Sequence, residues 1–474
     1  MAKHPTRVGD IVARKTLMER RRPILSVLLA AVAALALSRG HADAAGRAPL
    51  GSSDVSILVP LKASDRVDDV FKMAGTGLCN ALKFDETEPS IFGKDQFDAF
   101  AASVFGRGRN GQCNELPLEG PSKGGDAEVL ASQPSEHLAR RRGLPGRACS
   151  YQSWRVVGFR YEPCFERPGR TVQRKEDLVG CTPEARLVAQ PWNTEGTPFP
   201  DDVALHLIYR VPSPDALVDD LFKLAETTTA ATKSVRWDNY DTAADVLRPH
   251  PGLRAEMDGC RGPVSTAYRA FLGKHTRSNL LRQVAFMTSS TAQVQWSFGA
   301  MAFNGGQFAP IRTASGDVFD NFSGDLFNFG SGSPFNASLR SATFPHTARF
   351  FDANLLMSRA ELTPLARANA QKASEDLAKI EHPGRVGQGA TNCVSCHMVP
   401  QTRAELVNKG VVPSTSGAYA KVPFWPAFDQ ASRGLFNLRN FGYGPGFEMG
   451  VSQRTLNETD DVRRSLNAVY LTKP

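Results

Sequence analysis

Two cysteines and a histidine lie within five residues in the C-terminal quarter of the chain, as Cys393-Val-Ser-Cys396-His397. In a helical turn, residues three and four apart share a face, so two thiols and one imidazole would meet a single ligand. The C-x-x-C-H spacing reads as a c-type haem attachment site. Cys393 and Cys396 would form thioethers with the haem vinyl groups, and His397 would bind the iron from the proximal side. Two other chemistries fit parts of the motif. A redox dithiol needs only the cysteine pair, but that motif is expected beside a βαβ pattern, which the flanks do not show. A zinc site needs four ligands, and no second CxxC or HxxxH pair in the chain would complete the tetrahedron.

The elements that must deliver and position these residues begin with an export segment, residues 1–44. Arg20, Arg21 and Arg22 form its positive head, Ile24 to Leu37 its apolar run, and Ala42-Asp43-Ala44 a cleavage site, with cleavage predicted after Ala44. Met18 offers an alternative start. The apolar run falls short of the roughly 20 residues a membrane span needs, so no transmembrane anchor is expected after cleavage. The first cysteine is Cys79, too far on for a lipid-anchored mature N-terminus. These features place the working protein in a bacterial periplasm or outside the cell.

Charge excludes one partner class. The full chain carries +8, but the export segment holds eight basic and three acidic residues, which leaves 48 against 45, or +3. That balance, with no basic tract interleaved with aromatics, does not fit nucleic acid. Roughly 430 residues remain after cleavage, enough for two or three domains. Besides the CxxCH pair there are six cysteines: Cys79, Cys113, Cys149, Cys164, Cys181 and Cys260. In an oxidising compartment they allow up to three disulfides. Cys164 and Cys181 flank the loop between two expected strands, which makes them the first-choice pair.

Residues 45–350 read as an α+β domain with an antiparallel sheet. A strand is expected over 56–61, and Phe97, Phe100 and Val104 form the apolar stripe of a helix. From 114 to 148 the chain is rich in Gly, Pro and charge, a long surface excursion with Arg140-Arg141-Arg142 in solvent. Strands are predicted over 154–161, 184–190 and 203–211, and a helix starts at Ser213-Pro214-Asp215 with Leu217, Val218, Leu221 and Leu224 on one face. His206 reads as a packed or surface residue. Further strands at 281–287, 293–303 and 307–313 include a hairpin turn at Asn304-Gly305-Gly306. Residues 314–350 read as an irregular loop whose Phe residues pin it to the core.

Residues 351–474 complete the layout. A helix opens at Thr363-Pro364, runs to Ile380 and stops at Pro383-Gly384. After His397 comes a Pro- and Gly-rich stretch with Phe424, Trp425, Phe428, Phe436 and Phe441, suited to an apolar wall. A last helix is expected over 458–471, burying Val462, Leu466 and Val469. The order helix, CxxCH, loop with a Met, terminal helix resembles the small class I members of the cytochrome c family. This resemblance covers the last quarter of the chain and rests on residues 393–397 as its one specific motif.

The resemblance implies a mainly α-helical haem module after the α+β region, with one covalently attached haem c. It also implies that haem is attached after export. Met449, in Gly444-Pro-Gly-Phe-Glu-Met449-Gly450, stands where the family carries its distal iron ligand, before the last helix. Met398 adjoins the proximal His and is excluded; His382 and His346 are the alternative sixth ligands, and Trp425 and Arg439 are candidates for the haem propionates. The function expected is single-electron transfer to a redox partner protein that the sequence does not identify, rather than catalysis. The alternatives are a haem enzyme or small-gas binder with an open distal site, or a binding module with an accessory redox haem.

Overall fold

Alternation of side chains along five successive strands fixes the sheet that carries this protein. The structure is a computed structural model that describes residues 47–61, 81–104, 150–164, 172–193, 199–200, 203–235, 245–256, 260–289, 295–311, 322–325, 340–342, 350–352, 364, 368, 378–385, 407, 410, 428–429, 441–443 and 449–471. In chain order its elements are α1 (Ser52–Val55), β1 (Ser56–Leu58), α2 (Lys94–Val104), β2 (Trp154–Glu162), β3 (Glu184–Asn193), β4 (Phe199–Pro200), β5 (Ala204–Arg210), α3 (Pro214–Thr232), α4 (Pro251–Ala255), α5 (Pro263–His275), β6 (Leu281–Ser289), β7 (Gln295–Asn304), β8 (Gln307–Pro310), β9 (Phe322–Asp325), β10 (Arg340–Ala342), β11 (Phe350–Asp352), β12 (Phe428–Asp429), β13 (Phe441–Tyr443), β14 (Met449–Val451) and α6 (Gln453–Leu471).

Nine strands form the main sheet in the order β1-β2-β3-β5-β6-β7-β8, with β4 against β3 and β9 against β7. Every pairing in it is antiparallel. Because side chains alternate between faces, register sorts the residues into two layers. Phe159, Leu187, Leu207 and Val284 stand opposite one another on one face, and all are fully buried. Helices cover that face: Phe271 of α5 lies 5.0 Å from Phe159, and Phe100 of α2 lies 6.0 Å from Phe286. Gly158, Val188, His206, Ala285 and Ala300 form a row on the other face.

Local chemistry explains several boundaries. Gly305 and Gly306 turn β7 into β8 with φ of 58° and 88°, the two positive values that a type I′ hairpin requires. Pro214 starts α3 behind Ser213, whose carbonyl accepts from the Leu217 N–H at 3.1 Å. The loop joining β2 to β3 is closed by a disulfide between Cys164 and Cys181, across a separation of 17 residues. In the chain-entropy view a closure of that length stabilises by about 3 kcal/mol. Cys260 is disulfide-bonded as well.

The expected fold class needs correction at its C-terminal end. In place of a mainly α-helical cytochrome c-like module, the described residues there include a three-stranded sheet, in the order β12-β14-β13. β12 runs parallel to β14 and β13 antiparallel to it. Phe441 with Tyr443 and Met449 with Val451 repeat at a period of two, the spacing of strands rather than helices. All four are buried in the same apolar core as β2, β3 and β5. The ring of Phe441 lies so close over Gly158 that a Cβ there would sit 2.4 Å from its Cε1.

The last helix also starts earlier than expected, at Gln453. Residues 453–460 are buried on every side although most are polar. Val462 and Leu466 are buried and Val469 is half-buried. Within the helix expected over 363–380, Pro364, Ala368 and residues 378–380 are helical, and the rest lies outside the described residues. Phe350–Asp352, at the boundary expected after residue 350, is a strand paired with Arg340–Ala342.

Candidate functional site

Cys393, Cys396 and His397 lie outside the described residues, as do the export segment 1–44, His346, Met398, Trp425 and Arg439. Two of the proposed sixth ligands are described. Met449 sits on β14 opposite Tyr443 and is almost fully buried in the apolar core. The Tyr443 hydroxyl donates to the Val59 carbonyl, and Gln190 brackets the Tyr443 backbone, its Nε2 donating to the carbonyl at 2.7 Å and its Oε1 accepting from the N–H at 2.8 Å. Met449 is therefore held by a strand that is itself bonded to a strand tied to β3.

His382 is half-buried in the turn that ends the 378–380 helical segment. Its Nδ1 accepts the Gly384 N–H at 3.1 Å, which puts the ring proton of the neutral imidazole on Nε2. A metal-bound imidazole shows the reverse, with the second ring nitrogen donating. His206 is half-buried, with Val188 and Ala285 opposite it. No group of three or more His, Cys, Asp or Glu placed to hold a metal occurs among the described residues.

What the described residues do bring together is charge. Arg160 Nη2 lies 2.7 Å from Glu458 Oε2, and Glu458 Oε1 accepts from Arg454 Nε at 2.5 Å. Burial opposes ionisation of Glu458, but the guanidinium groups of Arg454 and Arg160 outweigh it and hold the carboxyl down to about 2. Arg454 Nη1 donates to the Ile380 carbonyl at 2.5 Å, and Asn457 Nδ2 donates to the Glu381 carbonyl at 2.9 Å. The start of α6 thus holds the segment that leads towards residue 393. Arg160 also stands 5.9 Å from the centroid of the Phe441 ring.

This polar joint was not anticipated from the sequence. The signals were available: Arg160 and Glu162 lie two apart on a strand, so they share a face, and Arg454 and Glu458 lie four apart on a helix. Either pattern alone describes a solvated surface, and nothing in the composition of Gln453–Asp460 announces burial.

Two further clusters hold titratable groups. Asp220 of α3 is contacted by Lys274 at 2.5 Å, His275 at 2.8 Å and Lys223 at 3.1 Å. Desolvation raises its pKa, but the bonds to these three groups prevail and bring it to about 2. This is a tie between α3 and α5. His250 is fully buried as the N-cap of α4, where its Nδ1 accepts the Leu253 N–H at 3.3 Å. Neither cluster brings a nucleophile and a base together within an open cleft.

Among the described residues no helix is long and apolar enough to cross a membrane. Comparisons with protein-family models, with curated proteins and with solved structures find no match to this chain.

Proposed function

We propose that this chain is an exported c-type haem protein with one covalently attached haem, which passes single electrons to a redox partner protein. The observation that carries the reading is the spacing of Cys393, Cys396 and His397. Two thiols and an imidazole within five residues are the donor set that a c-type haem takes, and the donor chemistry fits no other common cofactor as well. The Cys164–Cys181 disulfide is in keeping with the oxidising compartment in which the reading places the protein. What it shares with the cytochrome c family is the attachment motif, not the helical module.

In this reading Cys393 and Cys396 hold the group covalently and His397 binds its iron. Haem, when bound, supplies a metal that cycles between the ferrous and ferric states. The task of the rest of the chain is to hold the attachment segment and to exclude water from the cofactor. Arg454 and Asn457 serve the first task through the carbonyls of Ile380 and Glu381.

The test is production of the full chain in a strain competent for c-type maturation. Intact mass should rise by one haem, the pyridine haemochrome should report one haem per chain, and Cys393→Ala with Cys396→Ala should abolish both. A purified chain with no covalent haem would end the reading. Addition of carbon monoxide to the reduced protein separates electron transfer from an open-site enzyme or gas binder. An unchanged spectrum supports the carrier, and a shifted one supports the open site.

A further inference from the structure

The sheet face opposite the helices carries an imidazole set among small side chains. His206 of β5 has Val188 of β3 on one side and Ala285 of β6 on the other, and Ala300 of β7 continues the row. Along β5 its neighbours on that face are Ala204 and Ile208, two residues away in either direction. Ala204, Ile208, Met287 and Ala300 are buried, yet none of them belongs to the apolar core that Leu205, Leu207 and Val284 share on the helix side. They line a second apolar region, within which half-buried His206 supplies a metal donor.

The stretch that carries Cys393, Cys396 and His397 is anchored at both ends on that same side of the sheet. Ahead of it, Ile380 and Glu381 are held by Arg454 and Asn457 of α6, and Glu458 of the same helix pairs with Arg160. Arg160 follows Gly158 by two residues on β2, so it shares the face of His206. Beyond it, β12 pairs with β14 and β14 with β13, whose Phe441 ring lies over Gly158. His206 is two strands along from Arg160, about 10 Å at the usual strand spacing. Glu381 and Cys393 are 12 residues apart (393 minus 381), a reach of up to about 40 Å.

Resting on the haem reading above, we infer that His206 is the sixth ligand of the haem iron, with Ala285 and Ala300 as the low floor beside it. An imidazole can meet a flat macrocycle only if the side chains around it are shorter than itself, and the methyl groups of β6 and β7 satisfy that. The donor fits, since neutral imidazole is the commonest protein ligand for metals. Other described candidates are committed elsewhere. Met449 packs in the main core opposite Tyr443. His250 Nδ1 and His382 Nδ1 each accept a backbone N–H, and His275 bonds Asp220 at 2.8 Å on the helix side of the sheet.

Spectra of the full chain, produced with haem attached, test the assignment, and a pyridine haemochrome first counts the haem in each protein. The parent should be low-spin in the ferric state, lack a sulfur-to-iron band and ignore carbon monoxide when reduced. His206→Ala should keep one haem per chain, turn high-spin and bind carbon monoxide, and added imidazole should restore the low-spin spectrum. His206→Met keeps a ligand at the position, so it should gain the sulfur-to-iron band and a higher reduction potential. That gain decides the matter even where the alanine variant does not fold. A sulfur-to-iron band or carbon monoxide binding in the parent, a haem-loaded His206→Ala that stays low-spin, or a His206→Met protein with the parent's spectrum would each overturn the inference and leave the haem reading standing. A parent without covalent haem would overturn both.

Discussion

His250 Nε2 lies 3.9 Å from Asp54 Oδ1, and the two groups titrate in opposite senses. Since His250 Nδ1 accepts a backbone N–H, its proton is on Nε2, facing the carboxylate. Burial above all, with Arg248 adding to it, lowers the His250 pKa from 6.5 to about 3. Burial also raises that of Asp54 from 3.8 to about 6, against the opposing pull of the Gly51 N–H and Arg248. Between pH 6 and 3.8 the folded state binds a proton on Asp54 that the unfolded chain lacks, while the unfolded chain binds one on His250 that the folded state lacks. The two contributions to the pH slope cancel. Asp54→Asn removes one of them, so the variant should lose stability relative to the parent by about 1.4 kcal/mol per pH unit as the pH falls through that window. Urea midpoints measured across it decide the matter: parallel profiles for parent and variant mean the pair is not coupled in this way.

Gly158 is a packing determinant. A methyl group there would stand 2.4 Å from Phe441 Cε1 and 3.3 Å from the Ile57 carbonyl. Gly158→Ala should therefore destabilise by about 1–3 kcal/mol, the usual range for overpacking, and push the Phe441 ring of β13 away from β2. Combining it with Phe441→Leu should recover part of the loss, whereas a simple sum of the two penalties in thermal melts would show that the Phe441 ring does not pack on residue 158.

The Cys164–Cys181 disulfide should respond to loss of either partner. Cys164→Ser with Cys181→Ser is expected to lower the unfolding free energy by about 3 kcal/mol, according to the length of the closed loop. Denaturant titrations of the double variant and its parent measure this directly. A difference near zero would mean that the β2–β3 pairing already restrains the unfolded chain.

Met449 calls for a substitution that separates packing from ligation. Met449→Ala would open a cavity in the core, at a cost of about 2–5 kcal/mol, and would confuse the two. Met449→Leu keeps the volume, at a cost below about 1.5 kcal/mol, and removes the thioether. If Met449 is the sixth ligand, the variant folds, loses the weak sulfur-to-iron band at the red end of the ferric spectrum and has a lower reduction potential. A band that survives in Met449→Leu assigns the sixth position to another residue.

The parts of the fold legible in the sequence are those whose burial pattern is regular. Trp154, Phe159, Leu205 and Leu207 belong to runs bounded by turn residues, and those runs are strands. The pairing of Cys164 with Cys181 followed from their place at two strand ends. The path through Arg160, Glu458 and Arg454 was not legible because a charge buried by tertiary contact has the same sequence as one in solvent. β13 and β14 were missed for another reason. Each is three residues long, too short for alternation to stand out from a loop, and Phe441 of β13 suited a cofactor wall equally well. α5 carries Tyr268, Phe271 and Leu272 on its buried side, yet its Ser, Thr, Gly and Lys residues dilute that stripe.

Both margins of the main sheet are short among the described residues. β1 has three residues at one side, while at the other β7 is flanked by β8 and β9, each of four residues and placed one after the other along the same strand. β8 ends on Pro310, which has no N–H to offer. An incoming strand from a second molecule would find at most four consecutive residues to pair with at any of these margins. A long uninterrupted rim is what strand addition and fibril growth require. Among the described residues, the tandem capping of β7 therefore leaves this edge of the sheet a poor template for strand addition from a second molecule.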